Sequence, residues 1–281
     1  MAAHQPLDRP APGLALPEDG STFGTVFDLN LVGLWTLYVK EVRRFLKVIT
    51  QTVVAPIATT LMFLAIFALA LGQTGRTIEG TPFLVFLAPG LIMMAIVQNA
   101  FANTSSSIMI AKVQGNIVDY LMPPLSPGEL VAGVILGGVT RGLVVGVAVY
   151  LAMIPFVALP VSHPFLALGY VLAASLMLST LGLITALWAE KFDQMAAATN
   201  FVITPLSFLS GTFYSIRDLP EPFHALALAN PFFYMIDGVR FALTDHADGP
   251  IWAGMLILAI TNAALLVFAW WLVRTGYRLK A

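Results

Sequence analysis

Few residues in this chain could carry out acid–base or metal chemistry, and they do not form a compact group. The chain has no cysteine, which excludes disulfides and thiolate chemistry. Its four histidines are scattered, and no set of His, Asp and Glu has the spacing of metal ligands. Asp218, Glu221 and His224 lie across a proline turn and are a loose candidate for a lipid-modifying enzyme. We therefore expect no metal and no catalytic residues.

The chain also lacks a nucleotide-binding motif of its own. No Gly-x-x-x-x-Gly-Lys-Ser/Thr sequence occurs, so no loop of this type can cradle phosphates. The segments between the long apolar runs are too short to hold a nucleotide-binding domain. If the protein uses ATP, a separate subunit must bind the ATP and Mg²⁺, and we expect no cofactor in this chain.

Arg141 is the ionisable residue whose position most suggests a function. It lies within a long apolar run, where charged side chains are costly and usually functional. Glu129 precedes it by twelve residues, about 18 Å along a helix, so the two cannot pair. Arg141 can meet an anionic group of a cargo, or it can bond backbone carbonyls and reach toward water.

The composition indicates that a lipid bilayer surrounds most of the protein. Hydrophobic residues make up 58% of the chain and charged residues 10%, with a mean hydropathy of +0.86. A soluble domain has about 25% charged residues, so this surface cannot face water throughout. The net charge of −1 argues against a nucleic-acid partner.

Six apolar runs are long enough to cross a bilayer. They are Val48–Leu71, Phe83–Phe101, Leu130–Leu159, Phe165–Ala189, Met195–Phe213 and Ile251–Val273. An even number places both termini on one side, and ten Lys and Arg then lie on that side against three on the other. The positive-inside rule predicts cytoplasmic termini.

Two segments precede the first span. Residues 1–27 are rich in proline and contain no apolar run of signal-peptide length, so we expect a disordered cytoplasmic tail. Residues 28–47 show apolar residues at helical spacing, with Thr36, Lys40, Arg43, Arg44 and Lys47 on the opposite arc. This pattern predicts an amphipathic helix lying in the membrane interface. Residues 48–281 would form the six-helix transmembrane domain.

Leu209–Leu243 is too polar for a span and too apolar for an ordinary loop. Gly211, Pro220 and Asn230-Pro231 interrupt it, which predicts short re-entrant helices on the exterior between spans five and six. The order Leu-Ser-Gly, aromatic, Leu-Pro, Asn-Pro, aromatic, Arg resembles a signature of ABC-2-type permeases, the membrane subunits of ATP-driven exporters. The resemblance implies pathway or lid residues, to which we add Arg141. The set is Gly211, Phe213, Tyr214, Pro220, Asn230, Pro231, Arg240 and Arg141.

The loop between spans two and three carries a second pattern. Gly115-Asn116 is a turn signal, and one apolar helical turn follows before Pro123-Pro124. The pattern Gln-Gly-x-Ile-x-Asp-x-Leu-x-x-Pro-Leu-Ser-Pro resembles the coupling helix of small ABC-2 permeases. The resemblance implies that this loop and the amphipathic helix contact the ATPase. The implied residues are Lys112, Gln114, Gly115, Ile117, Asp119, Tyr120, Leu121, Glu41, Arg43 and Arg44.

The resemblance covers roughly residues 30–275 and implies an all-α membrane protein. It implies two copies of this chain with two ATPase subunits in a bacterial inner membrane, exporting an amphiphilic or lipid-like substrate. Uncharged polar side chains in the spans suit such a cargo, or bond between helices. They are Gln51, Thr52, Thr59, Thr60, Gln98, Asn99, Asn103, Asn200 and Thr204. An ATP-independent channel or scaffold is the alternative.

Overall fold

The computed structural model describes residues 30–71, 77–78 and 80–278, and within them the fold is almost entirely helical. The expected tail over residues 1–27 lies outside the described residues. Helix α1 spans Leu31–Leu46. A π-helical turn, Thr50–Val54, leads into α2, Ala55–Leu71. The short strands β1, Thr77–Ile78, and β2, Thr81–Pro82, pair antiparallel before α3.

The remaining helices follow in chain order. They are α3 Phe83–Val113, α4 Val118–Leu121, α5 Pro127–Met153, α6 Pro164–Trp188, α7 Phe192–Ala198, α8 Thr204–Leu209, α9 Glu221–Ala229, α10 Pro231–Thr244 and α11 Ile251–Thr275. A second π-helical turn, Thr199–Ile203, joins α7 to α8, and a 3₁₀ turn, Ile216–Asp218, precedes α9. The protein is an all-α integral membrane protein.

Among the described residues, five helices are long and apolar enough to cross a membrane. They are Thr50–Ala70, Phe83–Val113, Pro127–Met153, Pro164–Trp188 and Ile251–Thr275. The expected span Met195–Phe213 is not one of them, because α7, the π-helical turn and α8 divide it and helix ends at Leu209. Pro205, at the start of α8, cannot donate the backbone hydrogen bond that regular helix would require.

Helix α3 lies at the centre of the bundle, packed mainly against α5 and α6. In the most apolar 18-residue stretch of α3, 78% of the residues are buried, against 11% in the helix that contains α2. Most of the α3 surface is therefore covered by protein, whereas α2 presents most of its surface outward. This difference leaves most of the α2 surface uncovered by its own chain.

The glycines of α5 let neighbouring helices approach closely, as their four-residue spacing predicts. A Cβ at Gly133 would lie 2.7 Å from Leu37 of α1, and one at Gly137 would lie 2.4 Å from the Glu41 side chain. On the opposite side of α5, a Cβ at Gly138 would lie 1.9 Å from Ser179 of α6. The glycine ridge therefore packs α5 within this chain, on both α1 and α6.

The N-terminal helix and the end of α11 lie at the same end of the molecule. Asn30, the cap of α1, donates through its backbone N–H to Glu129 at the start of α5. Lys112 at the end of α3 and Arg278 after α11 both donate to carbonyls at the end of α6. The beginnings of α6 and α11 meet α10 at the opposite end, where the His163 backbone N–H donates to Ala242.

Candidate functional site

The first candidate region is a polar junction around Glu41, at the end of the molecule that holds both α1 and the α3–α5 connection. Glu41 is fully buried, and its Oε1 accepts hydrogen bonds from Ser107 Oγ of α3 at 2.7 Å and from Tyr120 Oη of α4 at 3.0 Å. Its Oε2 pairs with Arg44 Nη2 at 3.2 Å. One carboxylate therefore joins α1, α3 and α4.

Arg44 and Lys40 extend this junction along α1. Arg44 Nη2 also donates to the Asn103 carbonyl at 2.7 Å, and Nη1 donates to Ser106 Oγ at 3.2 Å. Lys40 Nζ lies 3.7 Å from the centre of the Tyr120 ring, a favourable cation–π distance. Burial, and next the Glu41 carboxylate, raise the pKa of Tyr120 to about 12, so its hydroxyl remains a donor at physiological pH.

The burial of Glu41 differs from the expected amphipathic pattern. The sequence suggested a charged face turned toward a partner, but the buried stripe of α1 is Leu37, Glu41 and Phe45. Arg43 is exposed and Arg44 is half-buried. Glu41 is the single acidic residue in a basic stretch, and it lies four residues from both Leu37 and Phe45. This spacing was the signal in the sequence that Glu41 belongs to the buried stripe.

The α3–α5 connection divides into inward and outward side chains. Ile117 and Tyr120 are buried, whereas the side of α4 turned away from the bundle is exposed. Leu121 and Met122 are 43% and 76% exposed. Six exposed residues of this connection, which we call the coupling surface, are Gln114, Gly115, Val118, Asp119, Leu121 and Met122. Of the predicted coupling residues, the structure places Gln114, Gly115, Asp119 and Leu121 on it.

Lys112 instead turns into its own chain. Its Nζ donates to three carbonyls at the end of α6, those of Ala186 at 3.1 Å, Leu187 at 3.0 Å and Ala189 at 2.6 Å. A lysine in this position satisfies terminal carbonyls and complements the negative end of the helix dipole. Its contacts tie α3 to α6.

The second candidate region is the opposite end, where Arg240 of α10 is fully buried. Its Nη2 donates to the Gly211 carbonyl at 2.6 Å, and its Nε donates to the Phe86 carbonyl of α3 at 3.3 Å. The guanidinium also stacks 3.8 Å above the Phe86 ring. Arg240 therefore holds the turn after α8 against α3.

Two carboxylates complete this buried group. Asp237 lies 3.7 Å and Asp248 lies 4.0 Å from Arg240 Nη1. Asp237 accepts the backbone N–H groups of Asp248 at 2.8 Å and Gly249 at 2.9 Å, and Asp248 accepts that of Ile216 at 3.1 Å. Asp237 of α10 therefore holds the loop before α11, and Asp248 of that loop holds the 3₁₀ turn.

Asn230 lies between α9 and α10, and its side chain links α10 to α8. Its Oδ1 accepts the backbone N–H of Phe232, capping α10, and its Nδ2 donates to the Leu206 carbonyl of α8 at 2.8 Å. Pro231 occupies the first turn of α10, where its missing N–H costs nothing. Pro220 is exposed at the start of α9.

Gly211 and the two aromatic residues that follow it occupy separate places. Gly211 has φ +74°, a conformation that glycine adopts without strain. Tyr214 donates to the Phe208 carbonyl at 3.2 Å. The Phe213 ring stacks on Phe208, with ring centres 5.4 Å apart, and lies tilted beside Phe67, with ring centres 5.3 Å apart. Of the predicted pathway residues, Gly211, Asn230 and Arg240 therefore hold the turn after α8 in place, and Phe213 lies beside α2.

The third candidate region is a cleft of about 670 Å³ between α2, α3 and α5. Phe213 lines it, and so does Arg141, which donates to Asn99 Oδ1 at 3.0 Å. Most of the polar residues that the sequence singled out in the first two spans also line it. They are Gln51, Thr52, Thr59, Thr60, Gln98 and Asn99. Asn103 does not line the cleft, and its Oδ1 accepts a hydrogen bond from Arg44 Nη2.

The loose lipid-enzyme candidate does not form a joined site. Asp218 and Glu221 are exposed and His224 is half-buried, and within the described part of the chain no hydrogen bond or ion pair connects them. The same described residues contain no group of three His, Asp or Glu placed to hold a metal ion.

Comparison with known proteins identifies the relatives of this chain. Residues 32–244 match the family described as ABC-2 type transporter. The chain is 36% identical over 254 residues to the inner membrane transport permease YadH of Escherichia coli strain K12, covering 90% of this chain and 99% of that protein. It is 22% identical over 243 residues to nodulation protein J of Sinorhizobium fredii, covering 85% and 88%.

Proposed function

The chain belongs to the ABC-2 type transporter family as a transport permease of the inner membrane, and from this premise we propose that it forms the membrane pathway of an exporter driven by a separate ABC-type ATPase. The family implies an ATPase partner and a non-catalytic role for this subunit. We propose that two copies of this chain assemble with two ATPase subunits. The cargo is amphiphilic or lipid-like.

The observation that carries the coupling proposal is the buried Glu41 junction. The coupling surface lies on the short segment that Tyr120 anchors to Glu41, and Glu41 also binds Ser107 of α3. A displacement of α4 by an ATPase would therefore pull on α1 and α3 together. Because α3 lines the cleft, such a movement would change the cleft's shape.

In this proposal the polypeptide chain crosses the membrane six times, and α7 and α8 together form the fifth crossing. Support comes from their ends: Lys191 precedes α7 beside the end of α6, and Leu206 of α8 accepts the Asn230 hydrogen bond at the opposite end. A sixth crossing would place both termini on one side. The predicted charge bias puts that side in the cytoplasm.

In this proposal the segment from Ser215 to Asp248 lies on the exterior side and forms a lid. Helices α9 and α10 would lie at the exterior membrane boundary as short re-entrant elements, with their backbone groups enclosed by protein. The contacts of Arg240 and Asn230 hold the lid to α3 and α8. Two copies meeting along their exposed α2 helices would enclose both clefts.

Reconstitution with a candidate ABC ATPase tests this function. The purified chain alone should hydrolyse no ATP, and the complex should hydrolyse ATP and transport an amphiphilic cargo in proteoliposomes. Leu121→Asp should abolish co-purification of the ATPase, because it places a charge on the apolar part of the coupling surface. Its thermal stability should remain close to wild type, since Leu121 is 43% exposed.

Val161→Asp, which alters an exposed apolar residue in the connection between α5 and α6, at the opposite end from the coupling surface, controls for general effects of a new charge on complex formation. Hydrolysis by a preparation free of other subunits would contradict the proposal. So would a Leu121→Asp complex that assembles and transports normally.

A further inference from the structure

The cleft between α2, α3 and α5 contains two guanidinium groups at neighbouring levels. Arg44 and Arg141 both line it. Arg44 binds Asn103 and Arg141 binds Asn99, and these asparagines are one turn apart on α3, about 6 Å along its axis. The two cations are therefore arranged along one side of the same cleft.

One carboxylate, Glu41, is paired with the first of these cations and lies outside the cleft lining. Glu41 pairs with Arg44, accepts two further hydrogen bonds and is fully buried, so it does not line the cleft. Arg141 has no carboxylate partner within the described residues, and its Nε has no hydrogen-bond acceptor there. The cleft lining therefore carries an excess of positive charge.

The rest of the lining is largely apolar. Phe63, Leu91, Met94 and Phe213 form its walls. A cation held at such a wall is costly unless an anion or several acceptors compensate it. Asn99 supplies one acceptor, which leaves Arg141 under-compensated for a purely structural role.

We propose that this cleft binds an amphiphile with an anionic group. The phosphate, sulfate or carboxylate of the ligand lies against Arg141 and Arg44, and its apolar part lies against Phe63, Leu91 and Phe213. This assignment rests on the proposed transport function and specifies its substrate class. Guanidinium groups suit this task because they stay charged and bind oxyanions through two parallel hydrogen bonds.

Binding to the purified full chain in a neutral detergent tests the assignment. Native mass spectrometry would compare dioctanoyl phosphatidic acid with dioctanoyl phosphatidylcholine, which share acyl chains and differ in headgroup charge. We expect phosphatidic acid to bind about tenfold more tightly, as a charge-assisted contact allows. Arg141→Gln should remove this preference, and Arg141→Lys should keep most of it.

Arg274→Gln is the matched control, because it removes an exposed cation at the end of α11, outside the cleft. Size-exclusion profiles and thermal unfolding establish that each variant is folded. If Arg141→Gln misfolds, Asn99→Ala, which frees Arg141 Nη2 from its acceptor, should still bind phosphatidic acid with a preference at least equal to wild type.

Three results would overturn the assignment. They are equal binding of the two lipids by wild type, an unchanged preference in folded Arg141→Gln, and full displacement of phosphatidic acid by an equal concentration of inorganic phosphate. The last result would indicate a site for free anions. Because no ATPase is present, failure here leaves ATPase co-purification intact, and failure of co-purification leaves this binding result intact.

Discussion

At the scale of single residues, buried polar groups define the two ends of this permease. Glu41 accepts hydrogen bonds from two helices and pairs with Arg44, while Arg240 donates to two carbonyls and lies between two carboxylates. Each group is surrounded by protein, where an unsatisfied partner is expensive. Removing one member should therefore affect more than its own contacts.

Glu41→Gln should lower stability and weaken coupling. The amide retains one acceptor oxygen but removes the negative charge that pairs with Arg44, at a cost of about 1–3 kcal/mol. We expect a lower thermal midpoint and a smaller cargo-stimulated fraction of ATP hydrolysis, with the ATPase still bound through the intact coupling surface. Thermal unfolding and hydrolysis assays of the reconstituted complex measure these effects.

Glu190→Gln is the control, since Glu190 forms an exposed pair with Arg278 at the same end. Exposed pairs contribute about 0–1 kcal/mol, so this variant should resemble wild type. A Glu41→Gln complex with wild-type stability and full stimulation would show that the junction does not transmit movement.

At the scale of elements, short helices and turns are held by side chains from distant parts of the chain. Helix α4 is a single turn that depends on Tyr120 and Ile117 for its position. The segment between α8 and α11 depends on α10, whose Arg240 reaches both α3 and the turn at Gly211. Neither element would be stable alone, because short helices are marginal without tertiary contacts.

Arg240→Met should strongly destabilise the segment between α8 and α11. It removes the donors to Phe86 and Gly211 and leaves Asp237 buried beside Asp248 without a cation, which typically costs about 3–5 kcal/mol. Thermal unfolding and limited proteolysis around residues 211–220 should both report the loss. Adding Asp237→Asn should recover part of it, because the isolated charge is removed.

Arg217→Met provides the comparison, since Arg217 is exposed and its guanidinium donates to the carbonyl oxygens of Ala247 and Asp248. We expect a change below about 1 kcal/mol. A similar loss of stability in Arg217→Met and Arg240→Met would contradict the role of the buried arginine in holding this segment.

At the scale of the whole molecule, the two ends differ in what they present. One end carries the coupling surface and the exposed Arg43 of α1, and the other carries α9 and the turn before it. The cleft lies between them and α2 borders it with little coverage from its own chain. This arrangement fits a pathway that a second copy completes.

Cysteine labelling in spheroplasts tests the crossing by α7 and α8, using a chain that has no native cysteine. Asp193 lies in the first turn of α7 and Ala225 lies in α9, beyond the end of α8, and both residues are exposed. A membrane-impermeant maleimide should label Ala225→Cys at once and Asp193→Cys only after the membrane is opened. Asn116→Cys, on the coupling connection, should behave like Asp193→Cys.

Labelling of Asp193→Cys and Ala225→Cys from the same side would refute the sixth crossing. Labelling of Asn116→Cys in sealed spheroplasts, with Ala225→Cys protected, would invert the proposed orientation. Ser215 is unsuitable for this test because its side chain is buried.

The sequence alone determined the class of the protein, because hydropathy and charge act locally. The scarcity of charge predicted a membrane protein, the apolar runs predicted most of the long helices, and the two motifs indicated the family that comparison confirmed. The spacing of Gly133 and Gly137 also predicted close helix packing. These features depend on short-range periodicity, which a sequence displays directly.

Only the tertiary structure decided which polar residues face partners and which hold the fold. Glu41, Lys112 and Tyr120 looked like docking residues, but their partners are up to 79 residues away in the sequence and turn them inward. Arg141 and Arg44 meet at one cleft because α1, α3 and α5 cross there. Such contacts depend on which helices pack together in three dimensions, and a local pattern can indicate that a helix packs closely without showing which residues the packing brings together.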